Sequence, residues 1–465
     1  MSTPKVSVII PTYKGADFLG EAIQSVLGQT YPDVELIIVD DASPDHTAEV
    51  VRQFDDPRLT YIVHPENRGA DVARHTALQA SSGELVAFLD QDDFFHPEKL
   101  QAHVVFFESH PDVGFTYNAR FELNYSATTI RDLWRPPHNI SLADLVLWFP
   151  LAPSDVVLRR KWAQQMDLIG GRRGAEIAHF GRLFLAGCKF AYVDRALNYR
   201  RYHSGRVVKD LAGACQSELN NQVKVFTDPH CPPELLALRH IAHANLYMYW
   251  AYLAFAQDET GLGQEFLRQA ARLKPSILEG GPSEVVTHFL VNCIDDESQN
   301  HESLLQKVFA QLPPEMARLS EQYSGAVAQG YLLKGARAVI WNRPADGRSH
   351  FERAASLGAQ VDESFLGTLT HQLLNYEAEF GTEAAQNVFH ALAPYLEKLG
   401  GRASVRRLNG SYSVNRAFHS YRAGEYAGVP TTIWQAIASD PKYLTNRGVL
   451  SILLRSSVGR WAKLG

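Results

Sequence analysis

The run Leu85-Val86-Ala87-Phe88-Leu89 has no polar alternation and stops abruptly at Asp90-Gln91-Asp92-Asp93. A short apolar run behind the turn signal Ser81-Ser82-Gly83 predicts a strand covered on both faces. Such a strand requires helices on each side of its sheet, which narrows the fold to a layered α/β arrangement. The surrounding chain supplies them. Apolar runs at 6–10, 34–39 and 59–63 alternate with helical patterns, the first of which places Phe18, Leu19, Ala22, Ile23, Val26 and Leu27 on one face. A second helix is expected over 44–54, and a third, carrying Val72, Ala73 and Leu78, after Asn67-Arg68-Gly69. Pro97-Glu98-Lys99-Leu100 opens a fourth, with proline in its first turn. This alternation, sustained to about residue 117, predicts a mostly parallel, Rossmann-like sheet with helices on both faces and right-handed crossovers.

In such sheets ligands lie outside the carboxyl ends of the strands. Pro11-Thr12-Tyr13, Asp40-Asp41 and Asp90-Gln91-Asp92 each follow directly on a strand, so all three belong on one edge. Residues i and i+2 of an extended segment point the same way, which sends the carboxylates of Asp90 and Asp92 to one side. Hard oxygen ligands suit Mg²⁺ or Mn²⁺, and an ion held by so few of them takes the rest from water and substrate phosphates. Read alone, Asp92 or Asp93 could equally cap the helix near Pro97. Beside the other two clusters, the acids point to a nucleotide-like ligand with a metal at its phosphates. The glycine-rich turns of dinucleotide-binding and P-loop proteins are absent.

A chain of 465 residues exceeds one comfortable core. Asp228-Pro229 and Cys231-Pro232-Pro233 mark the best boundary, giving an expected α/β domain over 1–225 and an all-α domain over 234–465. Before that boundary, Trp134-Arg135-Pro136-Pro137 is a loop signal, 154–158 can return to the sheet, and 190–193 and 197–202 read as two further strands. Within the helical half, QAARLKP at 269–275 and QAIASDP at 435–441 share their spacing, and Gly335, Gly347, Phe351 and Ala354 fall at comparable offsets. That pattern resembles degenerate tetratricopeptide-like helix pairs able to recruit a protein partner, with an irregular bundle as the alternative.

A net charge of -6 supplies no global basic field for nucleic acid. Cys188, Cys215, Cys231 and Cys293 lack metal or redox spacing, as expected of free thiols in a reducing compartment. With strand-like sequence from residue 6 and no apolar stretch of membrane-spanning length, neither a signal peptide nor a bilayer span is expected, and a cytoplasmic location is the default. The segment 449–464 is apolar and basic, with Arg455, Arg460, Trp461 and Lys463. It reads as a closing helix or as a peripheral contact with an anionic membrane face.

At Val6-Ser7-Val8-Ile9-Ile10-Pro11-Thr12-Tyr13, Val39-Asp40-Asp41-Ala42-Ser43, Asn67-Arg68-Gly69 with Ala73-Arg74, and Phe88-Leu89-Asp90-Gln91-Asp92-Asp93, the chain closely resembles the family 2 inverting glycosyltransferases of the A-type fold. The resemblance runs to about residue 210. It implies a metal-dependent enzyme that moves a sugar from a nucleoside diphosphate, best a UDP-sugar, to a hydroxyl of a glycan, glycolipid or protein-linked acceptor. Synthesis of cell-surface polysaccharide or glycoconjugate is the implied setting. Carried over by residue, Pro11, Thr12 and Tyr13 line the base pocket, with Tyr13 stacking on the base. Asp41, with Asp40, accepts hydrogen bonds from base and ribose, and Arg74 faces the diphosphate. Gln91 belongs to the same nucleotide site, and Asp92, aided by Asp90, holds Mn²⁺ or Mg²⁺. His203 matches a position that completes the metal site in some relatives. The family's acidic pair before its closing helix reads Ala175-Glu176 here, so Glu176 takes the general-base position without its usual acidic partner. That departure motivates the alternative of a catalytically impaired, nucleotide-binding scaffold. Trp134, Trp148 and Phe149 are expected at the acceptor pocket.

Overall fold

The computed structural model describes residues 6–166, 168, 174–202, 208–296 and 300–459. The chain divides into two compact units, Met1–Ser320 and Glu321–Gly465.

The first unit is built on a nine-stranded mixed sheet. Its strands are β1 (Val6–Thr12), β2 (Val34–Asp40), β3 (Leu59–Val63), β4 (Leu85–Phe88), β5 (Phe94–Phe95), β6 (Phe115–Leu123), β7 (Ile130–Trp134), β8 (Val156–Arg159) and β9 (Phe190–Arg201). They run in the order β3-β2-β1-β4-β8-β6-β9-β5, with β7 added to β6 as a hairpin. The first four strands pair in parallel, as the alternation requires, while β8 runs antiparallel to both β4 and β6. Helices α1 (Leu19–Leu27), α2 (Thr47–Val51), α3 (Ala70–Ala80) and α4 (Lys99–Ser109) connect them, followed by α5 (Leu142–Leu147), α6 (Arg160–Ala163), α7 (Ala175–Leu185) and α8 (Leu211–Phe226). Leu19, Ala22, Ile23 and Val26 of α1 are fully buried against Val8, Ile10, Leu36 and Ile38, with Leu19, Ile23 and Val26 each contributing about 1.5–3 kcal/mol by leaving water. Proline is tolerated at position 11 because its side of β1 extends past β4, whose pairing with β1 ends at Ile9–Phe88.

The two strands expected over 190–202 form one strand instead. β9 pairs in parallel with β6 along its whole length, and its register jumps between Val193 and Ala196, so that Asp194 and Arg195 bulge out. The gap expected between 193 and 197 is a bulge.

Beneath β6 and β9, the amine of Lys99 is fully buried and donates to Asn118 Oδ1 at 2.5 Å. Asn118 donates to Asn198, and His103 Nε2 lies 3.0 Å from Asn118 Oδ1. Burial pulls the Lys99 amine down to about 7 against the opposing charge of Asp155. Burial and the Lys99 charge hold His103 well below the ordinary histidine range, against its bond to Asn118. An unfolded lysine keeps its proton to about pH 10, so between about pH 7 and 10 the unfolded chain binds more protons and stability rises with pH. The unfolding midpoint is expected to increase across that window, and Lys99→Met to flatten the increase. Parallel curves for the two proteins would show that Lys99 is charged in the folded state.

Helices Arg239–Ala256, Thr260–Leu273, Glu284–Asp295 and His301–Ala310 complete the first unit, the first of them packing on α8 and α5. Small residues allow close pairing: a Cβ on Gly263 would stand 2.5 Å from the Phe255 ring. The second unit consists of helices from Tyr323–Ile340 to Arg447–Gly459. There a Cβ on Gly335 would meet the Phe351 ring at 3.1 Å. Val449 and Ile452 of the last helix are buried against Val414, Ala417 and Ile433, while Arg460, Trp461 and Lys463 lie outside the described residues. Among the described residues no helix is long and apolar enough to cross a membrane.

Candidate active site

The carboxyl ends of β1, β2 and β4 bring the three motif clusters to one edge. Thr12 Oγ1 donates to Gln91 Oε1 at 2.6 Å, the Tyr13 N–H donates to the same oxygen at 2.9 Å, and Gln91 Nε2 returns a bond to the Tyr13 carbonyl at 3.2 Å. Gln91 thereby ties the end of β1 to the loop after β4. The Tyr13 ring remains 41% exposed, free of the core. Asp40 accepts from the Ser43 N–H at 2.8 Å and from the Tyr61 hydroxyl at 2.5 Å. Asp41 is only 2% exposed; it accepts from the N–H groups of Arg68 and Gly69 at 2.6–3.0 Å and lies 2.7 Å from His64 Nδ1. Its oxygens are therefore engaged in holding the Asn67-Arg68-Gly69 turn, a use the motif alone did not reveal. Gly69 occupies φ +94° at the head of α3, backbone that side chains strongly disfavour.

One arginine organises the acids. Arg74, on α3, is 6% exposed and donates to Asp71 at 2.9 Å, to Asp90 at 2.8 Å and to Glu176 at 3.4 Å. Burial disfavours its charge, but the three carboxylates hold the guanidinium protonated. Asp71 also lies 3.2 Å from His179 Nε2. Burial would raise Asp71, yet His179 and Arg74 together keep it below the ordinary carboxylate range. Glu176 stands in the first turn of α7, entered through Gly174 at φ +74°. A Cβ at Gly174 would approach the Glu218 side chain to 2.4 Å, so both conformation and space demand glycine there.

Asp93 is buried and fully engaged, accepting from Ser154 Oγ at 2.7 Å and from the Arg201 N–H at 3.1 Å. Arg201 also donates to the Asp92 carbonyl at 3.2 Å, to the Tyr125 carbonyl at 2.7 Å and to Glu21. Burial and the neighbouring Asp92 and Asp90 push Asp93 well up, opposed by Ser154. Burial likewise pushes Asp90 up, with Asp92 and Glu176 adding to it against the pull of Arg74.

Asp90, Asp92, Asp93 and Glu176 line a single cavity of about 930 Å³, together with Arg120, Phe149, Arg200 and Arg201. Phe149 reaches this cavity, whereas Trp134 and Trp148 pack against each other edge to face at 5.6 Å. His203 lies outside the described residues. Among the described residues no cluster of three or more His, Cys, Asp or Glu side chains forms a complete metal cage. The donor set nevertheless fits a divalent ion that keeps water and phosphate ligands: hard carboxylate oxygens crowded on one wall favour a cation. Asp93, whose oxygens already accept from Ser154 and Arg201, is the least available of them. Asp71, His179, Ser154, Arg200 and Arg201 were missed as site residues. Helical spacing could have found two of them, because Asp71 lies three residues before Arg74 and His179 three after Glu176.

Comparison with known proteins shows the family. The profile of Glycosyl transferase family 2 matches residues 7–162. The putative teichuronic acid biosynthesis glycosyltransferase TuaG of Bacillus subtilis is 30% identical over 186 residues, 40% of this chain and 73% of that protein. The chain belongs to glycosyl transferase family 2. A second relative, the Escherichia coli enzyme WfaP, named as a UDP-Glc:alpha-D-GlcNAc-diphosphoundecaprenol beta-1,3-glucosyltransferase, is 29% identical over 203 residues, covering 43% of this chain and 79% of that one. Among solved structures, Staphylococcus aureus TarS 1–349 in complex with UDP-GlcNAc is 16% identical with a TM-score of 0.40, over 77% of this chain and 93% of that one. The longer TarS chain is covered to 55%. As a family 2 glycosyltransferase, the protein carries its family match on the parallel half of the sheet and the strands beside it.

Proposed function

We propose that the protein transfers a glycosyl group, with inversion, from a UDP-linked sugar to a hydroxyl of a growing cell-surface polysaccharide or glycoconjugate. The observation that carries this reading is that Asp90 and Glu176, both on the wall of one cavity, are tied to the same buried arginine behind them. The exposed Tyr13 ring supplies a stacking surface for the base, beside the end of β1 that Gln91 fixes. Asp92 and Asp90 would hold Mn²⁺ or Mg²⁺, which when bound neutralises the charge of the diphosphate. Arg200, 3.6 Å from Glu122 and lining the same cavity, adds a positive charge from the protein. Glu176 takes the acceptor hydroxyl proton as that oxygen bonds to the anomeric carbon. The bond from that carbon to the phosphate oxygen breaks on the opposite side, and the electron pair leaves with the nucleoside diphosphate. The names of TuaG and WfaP support a cell-surface acceptor.

The scaffold alternative rested on the missing acidic partner at residue 175. Ala175 is buried, and Glu176 faces the same cavity as Asp90 without such a partner. For the helical remainder we read tetratricopeptide-like pairs that engage a protein partner. Its support is the recurrence of a glycine packed on an aromatic ring, Gly263 on Phe255 and Gly335 on Phe351.

Release of nucleoside diphosphate from a panel of UDP-, GDP- and dTDP-sugars tests the assignment. UDP-sugars are expected to turn over with Mn²⁺ or Mg²⁺, and Asp92→Asn to lower the rate at least about a hundredfold while shifting the metal optimum upward. An Asp92→Asn enzyme with unchanged rate and metal dependence would remove Asp92 from the metal site.

A further inference from the structure

The cavity that holds Asp90, Asp92 and Glu176 does not end with the sheet. Its lining includes one face of the helix Arg239–Ala256, where Tyr249, Tyr252, Leu253 and Ala256 follow the i, i+3, i+4, i+7 spacing. Tyr252 is buried and donates to the Asn292 carbonyl at 3.3 Å, which pins that face to the helix Glu284–Asp295. Tyr249, one turn earlier, is half-buried and lines the cavity. Among the described residues, the charged side chains that the chain from 208 onward gives to the cavity are Asp210, Glu259 and Asp296 against Lys209. An acid-rich wall repels phosphate and carboxylate groups, whereas carboxylates accept hydrogen bonds from hydroxyls and a tyrosine ring offers an apolar face with a polar tip.

We propose that this helix face is the acceptor subsite, that it takes an uncharged, hydroxyl-rich saccharide end, and that Tyr249 is the platform on which that sugar rests. The inference rests on the transferase reading for the direction of the reaction, since it puts the acceptor opposite the carboxylates assigned to the donor. It adds that the helical part of the first unit selects the acceptor. An acceptor whose reacting sugar carries a phosphate or uronate would meet Asp210, Glu259 and Asp296, three acids against the single Lys209.

The test uses the full chain with UDP and Mg²⁺. Saturation-transfer NMR compares methyl β-glucoside and methyl N-acetyl-β-glucosaminide with methyl β-glucuronide and glucose 6-phosphate, while calorimetry measures UDP binding on the same samples. The neutral glycosides are expected to bind and the anionic ones to bind at least about tenfold more weakly. Tyr249→Ala should weaken the neutral glycosides about tenfold with UDP affinity retained, and Tyr249→Phe, which keeps the ring, should restore them to within about twofold. Glu259→Lys, at an exposed position, should bring glucuronide binding up. Binding of neither neutral glycoside, equal or better binding of the anionic probes, or an unchanged Tyr249→Ala protein would each overturn the proposal. Tyr249-dependent glycoside binding in a protein that binds no UDP would instead sink the transferase reading and leave the saccharide site standing.

Discussion

Replacing Arg74 with methionine is expected to cost the first unit about 3 kcal/mol of stability, the lower end for removing one partner of a buried ion pair. Arg74 answers Asp71, Asp90 and Glu176 at once, and among the described residues no other cation is seen to bond all three. Asp90 and Glu176 face the cavity and can recover hydration; Asp71 cannot, because it is buried between α3 and α7 with only His179 remaining. The penalty should therefore be concentrated on Asp71, and Asp71→Leu added to Arg74→Met should recover part of it. Denaturant unfolding of the single and double variants measures this directly. A loss under about 1 kcal/mol in Arg74→Met would mean that the acids find water instead, and that the arginine serves only the ligand.

Glu176→Gln should lower the transfer rate by about 10²–10⁴-fold, the usual worth of a positioned proton acceptor, while leaving UDP binding intact. Glutamine keeps the side-chain length and can still accept from Arg74, so the geometry at the head of α7 survives and only the basicity is lost. Glu176→Asp separates reach from basicity. The glutamate is one methylene longer than the aspartate usual at this position, and α7 starts at a fixed place because Gly174 admits no side chain. Shortening the arm should slow transfer without abolishing it. Full activity in Glu176→Gln, read as transfer to an acceptor rather than as donor hydrolysis, would relocate the base.

The parallel half of the sheet was legible because its signals are local: apolar runs, turn residues and helical faces close together in sequence. The mixed half was harder to read. β8 is four residues long and β5 two, and their places depend on pairing partners far along the chain. β9 was misread as two strands because Asp194 and Arg195 look like a break until β6 supplies a register in which they bulge. At the site, the motif residues Thr12, Tyr13, Gln91, Asp90 and Glu176 were readable as types and positions. Asp41 was readable as important, but not that its oxygens are engaged by the Arg68 and Gly69 amides. That contact belongs to the turn geometry at Gly69, which no composition rule reports. Asp71 and His179 were overlooked because each is unremarkable without the partner on the other helix.

The strand β9 has a consequence for how this enzyme could be cut or grafted. The stretch that identifies the family ends at residue 162, yet Asp93 within it accepts the backbone N–H of Arg201, and Arg74 within it answers Glu176. A fragment cut at that point would leave Asp93 without one of its donors and Arg74 with one carboxylate fewer. Modularity therefore ends at β9: a transplantable donor-binding piece must extend through Arg201, and one meant to choose its acceptor must extend through the helix Arg239–Ala256.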